Sequence, residues 1–207
     1  MPVVTISAAY GAGGSAIGPA VAERLGVPFL DRAIPVAVAE RLDVSERDAC
    51  DRDESIGPWF SRALLAFGQM GPVLGGTGTE TPPVAGPDEF CAATEQVLRE
   101  RAATGGAVIL GRAGALVLAD HPTALHVRLH GPLGARVDQA MALGETDRGA
   151  AERLAQQTDR QRERYVQHFY RADARDPSHY HLVLDSTALP LDACTALVVA
   201  AARAREG

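Results

Sequence analysis

Residues 2–18 read Pro-Val-Val-Thr-Ile-Ser-Ala-Ala-Tyr-Gly-Ala-Gly-Gly-Ser-Ala-Ile-Gly, and the fold follows from them. Val3, Val4, Thr5 and Ile6 make a β-branched, mainly apolar run, which predicts a buried strand. Tyr10 and the glycine-rich Gly11-Ala12-Gly13-Gly14 predict a tight turn. Ile17, Val21, Ala22 and Leu25 recur at helical spacing, which predicts a helix over about 15–25, stopped at Gly26. Strand, glycine turn and helix in that order present backbone N–H groups to a phosphate, and the helix N-terminus adds positive potential.

The spacing compares with the pattern G-x-x-x-x-G-K-[ST], whose loop cradles phosphates. Laid from Ala8 to Ser15, Gly13 meets the second glycine and Ser15 the hydroxyl position. Ala8 replaces the first glycine, and Gly14 replaces the lysine. By the pattern alone this is a half match, and a glycine turn without a ligand satisfies it too. The rest of the chain weighs between the two.

At 207 residues the chain is long enough for one full hydrophobic core. Its 46% apolar and 22% charged content is that of a soluble globular protein. A net charge of −6 disfavours nonspecific nucleic-acid binding. No apolar run approaches the roughly 20 residues of a membrane helix, so no membrane association is expected. The chain opens directly in a strand, which predicts that there is no signal peptide. Cys50, Cys91 and Cys194 are far apart and odd in number, which predicts reduced thiols in a cytoplasmic protein and no cysteine metal site. The 20 basic residues are all arginine, with no lysine. Any phosphate charge must therefore be met by arginine, the backbone or a metal ion.

Further along, Val27–Leu30 is a short apolar stretch ending at Asp31 and Arg32. Helices are predicted over 33–42 and from Ser45, and an amphipathic stretch around Trp59, Phe60, Ala63, Leu64 and Phe67. Residues 71–87, rich in Gly, Thr and Pro, read as a mobile loop. Asp88 caps a helix to about Ala103. Strands are predicted at Ala107–Leu110, Ala124–Leu129 and Tyr180–Leu184, with helices near 112–119, 132–143, 146–171 and 190–204. Strands alternating with helices predict an α/β three-layer sandwich with a mainly parallel sheet of about five strands. Ligands of such sheets bind beyond the strand carboxyl ends. Residues 11–15, Asp31, Arg32, Gly111, Arg112 and Asp185 are expected there together.

The stretch from Glu152 to Arg175, mostly the long helix, carries Arg153, Arg160, Arg162, Arg164, Arg171 and Arg175. At about 100° per residue, Arg153, Arg160, Arg164 and Arg171 share one stripe, which reads equally as a solvated face. Arg162 points to the opposite, apolar side. A charge aimed inward needs an anion, and a phosphoryl group is one.

Together these motifs resemble the cytidylate kinases, within the P-loop nucleoside monophosphate kinases. Val4-Thr5-Ile6-Ser7-x-x-Tyr10-Gly11-x-Gly13-Gly14 with Ile17-Gly18 is similar to the divergent cytidylate kinase-like branch, which also has glycine at the lysine position. The residues from Leu25 to Arg32, from Val108 to Ala113, from Asp159 to Tyr165, from Asp173 to Leu182 and from Leu184 to Leu189 resemble further segments of it in order. The resemblance implies a single P-loop kinase-like domain, 1–207, with a helical acceptor-side insert at about 45–104 and an arginine-rich lid at about 146–176. It implies transfer of the γ-phosphoryl of ATP to CMP or dCMP with Mg²⁺. By position, Gly11, Ala12, Gly13, Gly14, Ser15 and Ala16 would hold ATP phosphates, and Ser15 the metal. Asp31, Arg32, Arg112, Arg136 and Asp185 would serve the acceptor, Asp185 as a brace. Arg160, Arg162 and Arg164 would close from the lid.

Three positions depart from the family pattern. Gly14 stands for the lysine, Gln157-Thr158-x-x-Gln161 for the lid Arg-Asp-x-x-Asp, and Ala113 for an acid after Gly-Arg. They leave two other readings open: a nucleotide-binding regulatory protein impaired in catalysis, or a kinase of another small acceptor. The oligomeric state is left open.

Overall fold

The computed structural model describes residues 1–31, 87–144 and 147–206. The chain divides into two compact units, Met1–Asp31 with Leu98–Gly207, and Arg32–Val97. The helices expected at 33–42, from Ser45 and around Trp59, most of the 71–87 loop, and Arg32 lie outside the described residues.

Five strands, β1 (Val3–Ala8), β2 (Phe29–Leu30), β3 (Ala107–Leu110), β4 (Leu125–His130) and β5 (Leu182–Asp185), form one sheet. Its order is β2-β3-β1-β4-β5, and every pairing is parallel. The helices are α1 (Gly14–Leu25), α2 (Pro87–Gly105), α3 (Gly114–Val117), α4 (Leu133–Gly144), α5 (Arg148–Tyr170) and α6 (Leu191–Ala204).

The pleat decides which face of the sheet each side chain joins, and Thr5 and His126 are as buried as their apolar neighbours. Val4 and Ile6 alternate with Thr5 and Ser7, and Leu125, Val127 and Leu129 with His126, Arg128 and His130. The apolar set packs with Ile17, Val21 and Ala22 of α1 and Cys194, Val198 and Ala202 of α6. Each fully buried Val, Leu or Ile there contributes about 1.5–3 kcal/mol. The opposite face is polar near β1 and β4. Register pairs Thr5 with His126 and Ser7 with Arg128, and α3 approaches Thr5 through Gly114, where a methyl group would sit 3.2 Å from the threonine methyl.

α1 ends at Gly26, whose N–H meets the Glu23 and Ala22 carbonyls, as the sequence predicts. α5 starts where the Asp147 carboxylate accepts from the Ala150 N–H. Several boundaries differ: α2 starts at Pro87, with Asp88 in its first turn rather than at its cap, and runs to Gly105, and α3 covers only Gly114–Val117 of the helix expected near 112–119. The last strand begins at Leu182 rather than Tyr180, because Asp176 caps a 3₁₀ turn over Pro177–His179 and the Tyr180 hydroxyl donates to the Ala174 carbonyl. Of the cysteines, Cys91 and Cys194 are buried thiols outside any disulfide, and Cys50 lies outside the described residues.

Candidate functional site

The turn after β1 has all its carbonyls engaged. The Ala8 carbonyl accepts from the Arg162 guanidinium at 2.6 Å, and that of Ala9 from the Ala12 N–H at 3.1 Å. The Tyr10 carbonyl accepts from Arg136 at 2.6 Å, the Gly11 carbonyl from Gln139 at 2.9 Å, and the Ala12 carbonyl from the Ser186 hydroxyl at 2.8 Å. The Gly13 carbonyl accepts from Ala16 and Ile17 N–H groups as α1 starts. Carbonyls drawn into the protein leave N–H groups to face outward. Among the described residues, no protein acceptor meets the N–H of Gly11, Gly13, Gly14 or Ser15. The N–H groups of Ala12 and Ala16 are taken up within the turn. Four free amides at a helix N-terminus form an anion cradle with its donors already oriented.

Close packing fixes the cradle. Gly11 has φ +75°, and a methyl group there would overlap the Arg136 carbonyl. Arg136 is 8% exposed, donates from Nε to the Gly131 carbonyl at 2.9 Å, and pairs with Asp159 at 2.9 Å. The other Asp159 oxygen accepts from the Tyr10 N–H at 2.9 Å. One carboxylate of α5 thus holds both the turn and the arginine beneath it. Val137, Ala151 and Ala155 pack with Tyr10 and join α4, α5 and the turn.

Arg162 leaves α5 on the side opposite Arg160 and Arg164. Its surface stays open to water, yet protein surrounds its guanidinium densely. Burial lowers its pKa; Arg112 and Arg128 act in the same direction, and Asp159 and Asp31 oppose them. Arg112, Arg128 and Arg162 therefore converge on one electrostatic environment. Arg112 donates to the Asp31 carbonyl at 3.3 Å and approaches its carboxylate at 3.7 Å. Arg128 donates to the Ser7 hydroxyl at 3.1 Å and lies 5.7 Å from the centre of the Tyr180 ring.

Asp185 braces its own turn: its carboxylate accepts from the Thr187 hydroxyl at 2.6 Å and the Thr187 N–H at 3.0 Å, and these bonds lower its pKa. Arg160 and Arg164 are exposed on α5, with no ion pair among the described residues. Among the described residues no group of three His, Cys, Asp or Glu side chains is placed to hold a metal. A magnesium ion bound with nucleotide phosphates needs only one or two protein ligands, and the exposed Ser15 hydroxyl beside the cradle fits that need.

The lysine position is closed by packing. A methyl group at Gly14 would lie 2.7 Å from the Ala8 methyl and 3.1 Å from Leu110 Cδ1. The two departures from the loop pattern, at positions 8 and 14, thus face each other.

Sequence reasoning assigned no role to Asp159, Gln139, Ser186 or Arg128. The first three meet the turn across long stretches of chain, 149 residues for Asp159. Arg128 did carry a signal, since it lies mid-strand between Val127 and Leu129, on the polar face with His126 and His130.

Comparison with known proteins bears on the family and the fold. The profile of the cytidylate kinase-like family matches residues 3–188. An uncharacterised protein from Eubacterium ventriosum ATCC 27560 has a similar structure, with TM-score 0.66 and 16% identity over 97% of each chain. A gluconokinase from Sinorhizobium meliloti 1021 superposes with TM-score 0.52 and 17% identity, covering 99% of this chain and 94% of that one. At such identities these likenesses show the fold. A uronate isomerase from Corynebacterium glutamicum is 34% identical over 99 residues, 47% of this chain, and the chain spans 19% of the isomerase's length. The profile match covers most of the chain and the fold is that of a P-loop kinase: this chain belongs to the cytidylate kinase-like family.

Proposed function

We propose that this chain is an ATP-dependent phosphotransferase whose acceptor is a nucleoside monophosphate, CMP or dCMP. The observation that carries the reading is the turn at 8–13, with its carbonyls held inward and the N–H groups of Gly11, Gly13, Gly14 and Ser15 left for an anion. An oxygen of the acceptor phosphate attacks the γ-phosphorus of ATP. The bond to the β–γ bridging oxygen breaks, giving ADP and a nucleoside diphosphate. Such a reaction needs positioning and charge stabilisation rather than a side-chain nucleophile.

The cradle would hold the donor's phosphates. Arg162 would meet charge at the transferring group, and Arg112, set by Asp31, would hold the acceptor's phosphate. Arg136 serves the site indirectly, by fixing the turn. Ser15 would hold magnesium, which supplies charge neutralisation when bound. A second reading, nucleotide binding without turnover, is favoured by Gly14, where no cation can stand.

A coupled assay for ADP release with Mg-ATP and CMP, dCMP, UMP, AMP or GMP tests the proposal. Turnover with CMP or dCMP supports it. Turnover with another acceptor alone moves the acceptor assignment, and binding without turnover on any acceptor supports the second reading.

A further inference from the structure

The geometry points to Arg162 as the cation that serves the donor's terminal phosphates in place of the missing loop lysine, through an exchange of residues at positions 8 and 14. The inference rests on the nucleotide-binding reading above and names the group that completes it.

Positions 8 and 14 share one small volume. In the general pattern the first position is glycine and the position six residues later is lysine. Here the first position carries the Ala8 methyl, and a Cβ at position 14 would come within 2.7 Å of it. Two carbon atoms do not approach so closely without displacement. Gly14 is therefore required by Ala8, and the two substitutions are one change. A lysine at position 14 cannot leave the backbone unless Ala8 or the turn shifts.

The positive charge enters from elsewhere at the same place. Arg162 reaches across from α5 and donates to the carbonyl of Ala8, the residue whose methyl closes position 14, at 2.6 Å. Among the described residues no carboxylate pairs directly with Arg162; Asp159 and Asp31 act on it only from a distance, and the Ala8 carbonyl that it contacts carries no formal charge. Asp159, one helical turn before it, pairs with Arg136 and caps the Tyr10 N–H. Asp159 thus registers α5 against the turn, and that register delivers Arg162. Arginine is suited to this role. Its planar fork binds two phosphate oxygens at once, and several of its five N–H donors remain after one contact to Ala8.

The test is calorimetric titration of the full chain with ATP and with AMP, which lacks the β- and γ-phosphates. In Arg162→Gln, ATP affinity is expected to fall about ten- to a hundredfold, the range for charge-assisted hydrogen bonds to a phosphate, with AMP affinity within about twofold of wild type. Arg162→Lys, which keeps the charge, is expected to recover part of the loss. In Ala8→Gly/Gly14→Lys/Arg162→Gln, the opened volume accepts the lysine and ATP affinity is expected to return towards wild type. Unchanged ATP affinity in a folded Arg162→Gln, or equal losses for ATP and AMP, would overturn the assignment. A folded triple variant that recovers nothing would overturn the exchange. Wild-type protein that binds no ATP would instead remove the nucleotide-binding reading itself, and this inference with it.

Discussion

Replacing Gly14 by alanine separates sterics from backbone preference, because the two effects have opposite signs. Gly14 opens α1 with φ in the ordinary negative range, so alanine there is conformationally acceptable and removes the entropic cost of glycine, a gain of up to about 1 kcal/mol. Against that stands a new methyl 2.7 Å from the Ala8 methyl and 3.1 Å from Leu110 Cδ1. Leu110 can turn its Cδ1 away, but Ala8 is fixed by β1 pairing with β4 and has no rotamer to change. Overpacking of this kind costs about 1–3 kcal/mol, so Gly14→Ala is expected to destabilise by about 1–2 kcal/mol net. Ala8→Gly alone loses a half-buried methyl and gains glycine flexibility, for about 1 kcal/mol. In the double variant the clash is gone, and its total loss should be at least about 1 kcal/mol smaller than the sum of the singles. Urea unfolding of all four proteins followed by circular dichroism measures this cycle. A coupling below about 0.5 kcal/mol would refute the claim that positions 8 and 14 share one volume.

Other outcomes follow from the same geometry. Gly11→Ala combines a left-handed backbone with overlap of the Arg136 carbonyl, so it should cost more than about 2 kcal/mol and abolish nucleotide binding, read by urea midpoint and calorimetry. Arg136→Met leaves Asp159 without its ion pair at a site 22% exposed on the acid side, and a loss of about 3 kcal/mol is expected in urea unfolding; Arg160→Gln on the exposed face should change stability by less than about 0.5 kcal/mol. His126 is 3% exposed, and burial first, then His181, brings its pKa from 6.5 to about 4. The unfolded chain therefore binds its proton first as pH falls, so stability is complete above pH 6.5 and declines towards pH 4, by up to about 3 kcal/mol. Urea midpoints at several pH values should show this slope, and His126→Phe should remove most of it, with His181 supplying a smaller part in the same direction.

The sheet was legible because its strands are dense β-branched runs and its helices end on glycine. Gly26 and Gly106 punctuate the chain where the structure turns. The helical phase of α5 separated Arg162 from the Arg160 and Arg164 stripe, and the structure brings only Arg162 to the turn. The loop's restraints were illegible for a physical reason. Asp159, Gln139 and Ser186 are ordinary polar residues until folding sets each against one backbone group of residues 10–12. Arg136 likewise carries no mark that distinguishes a brace under the turn from a ligand contact. Tyr180 looked like strand because tyrosine favours strands, and the capped turn at Asp176 overrode that preference.

The cradle at Gly11, Gly13, Gly14 and Ser15 is the central claim, and calorimetric titration of the full chain with Mg-ATP tests it most directly. The expected result is one saturable site per chain that Gly11→Ala eliminates and that inorganic triphosphate competes for. Absence of binding, or binding that Gly11→Ala leaves intact in a folded variant, would contradict it.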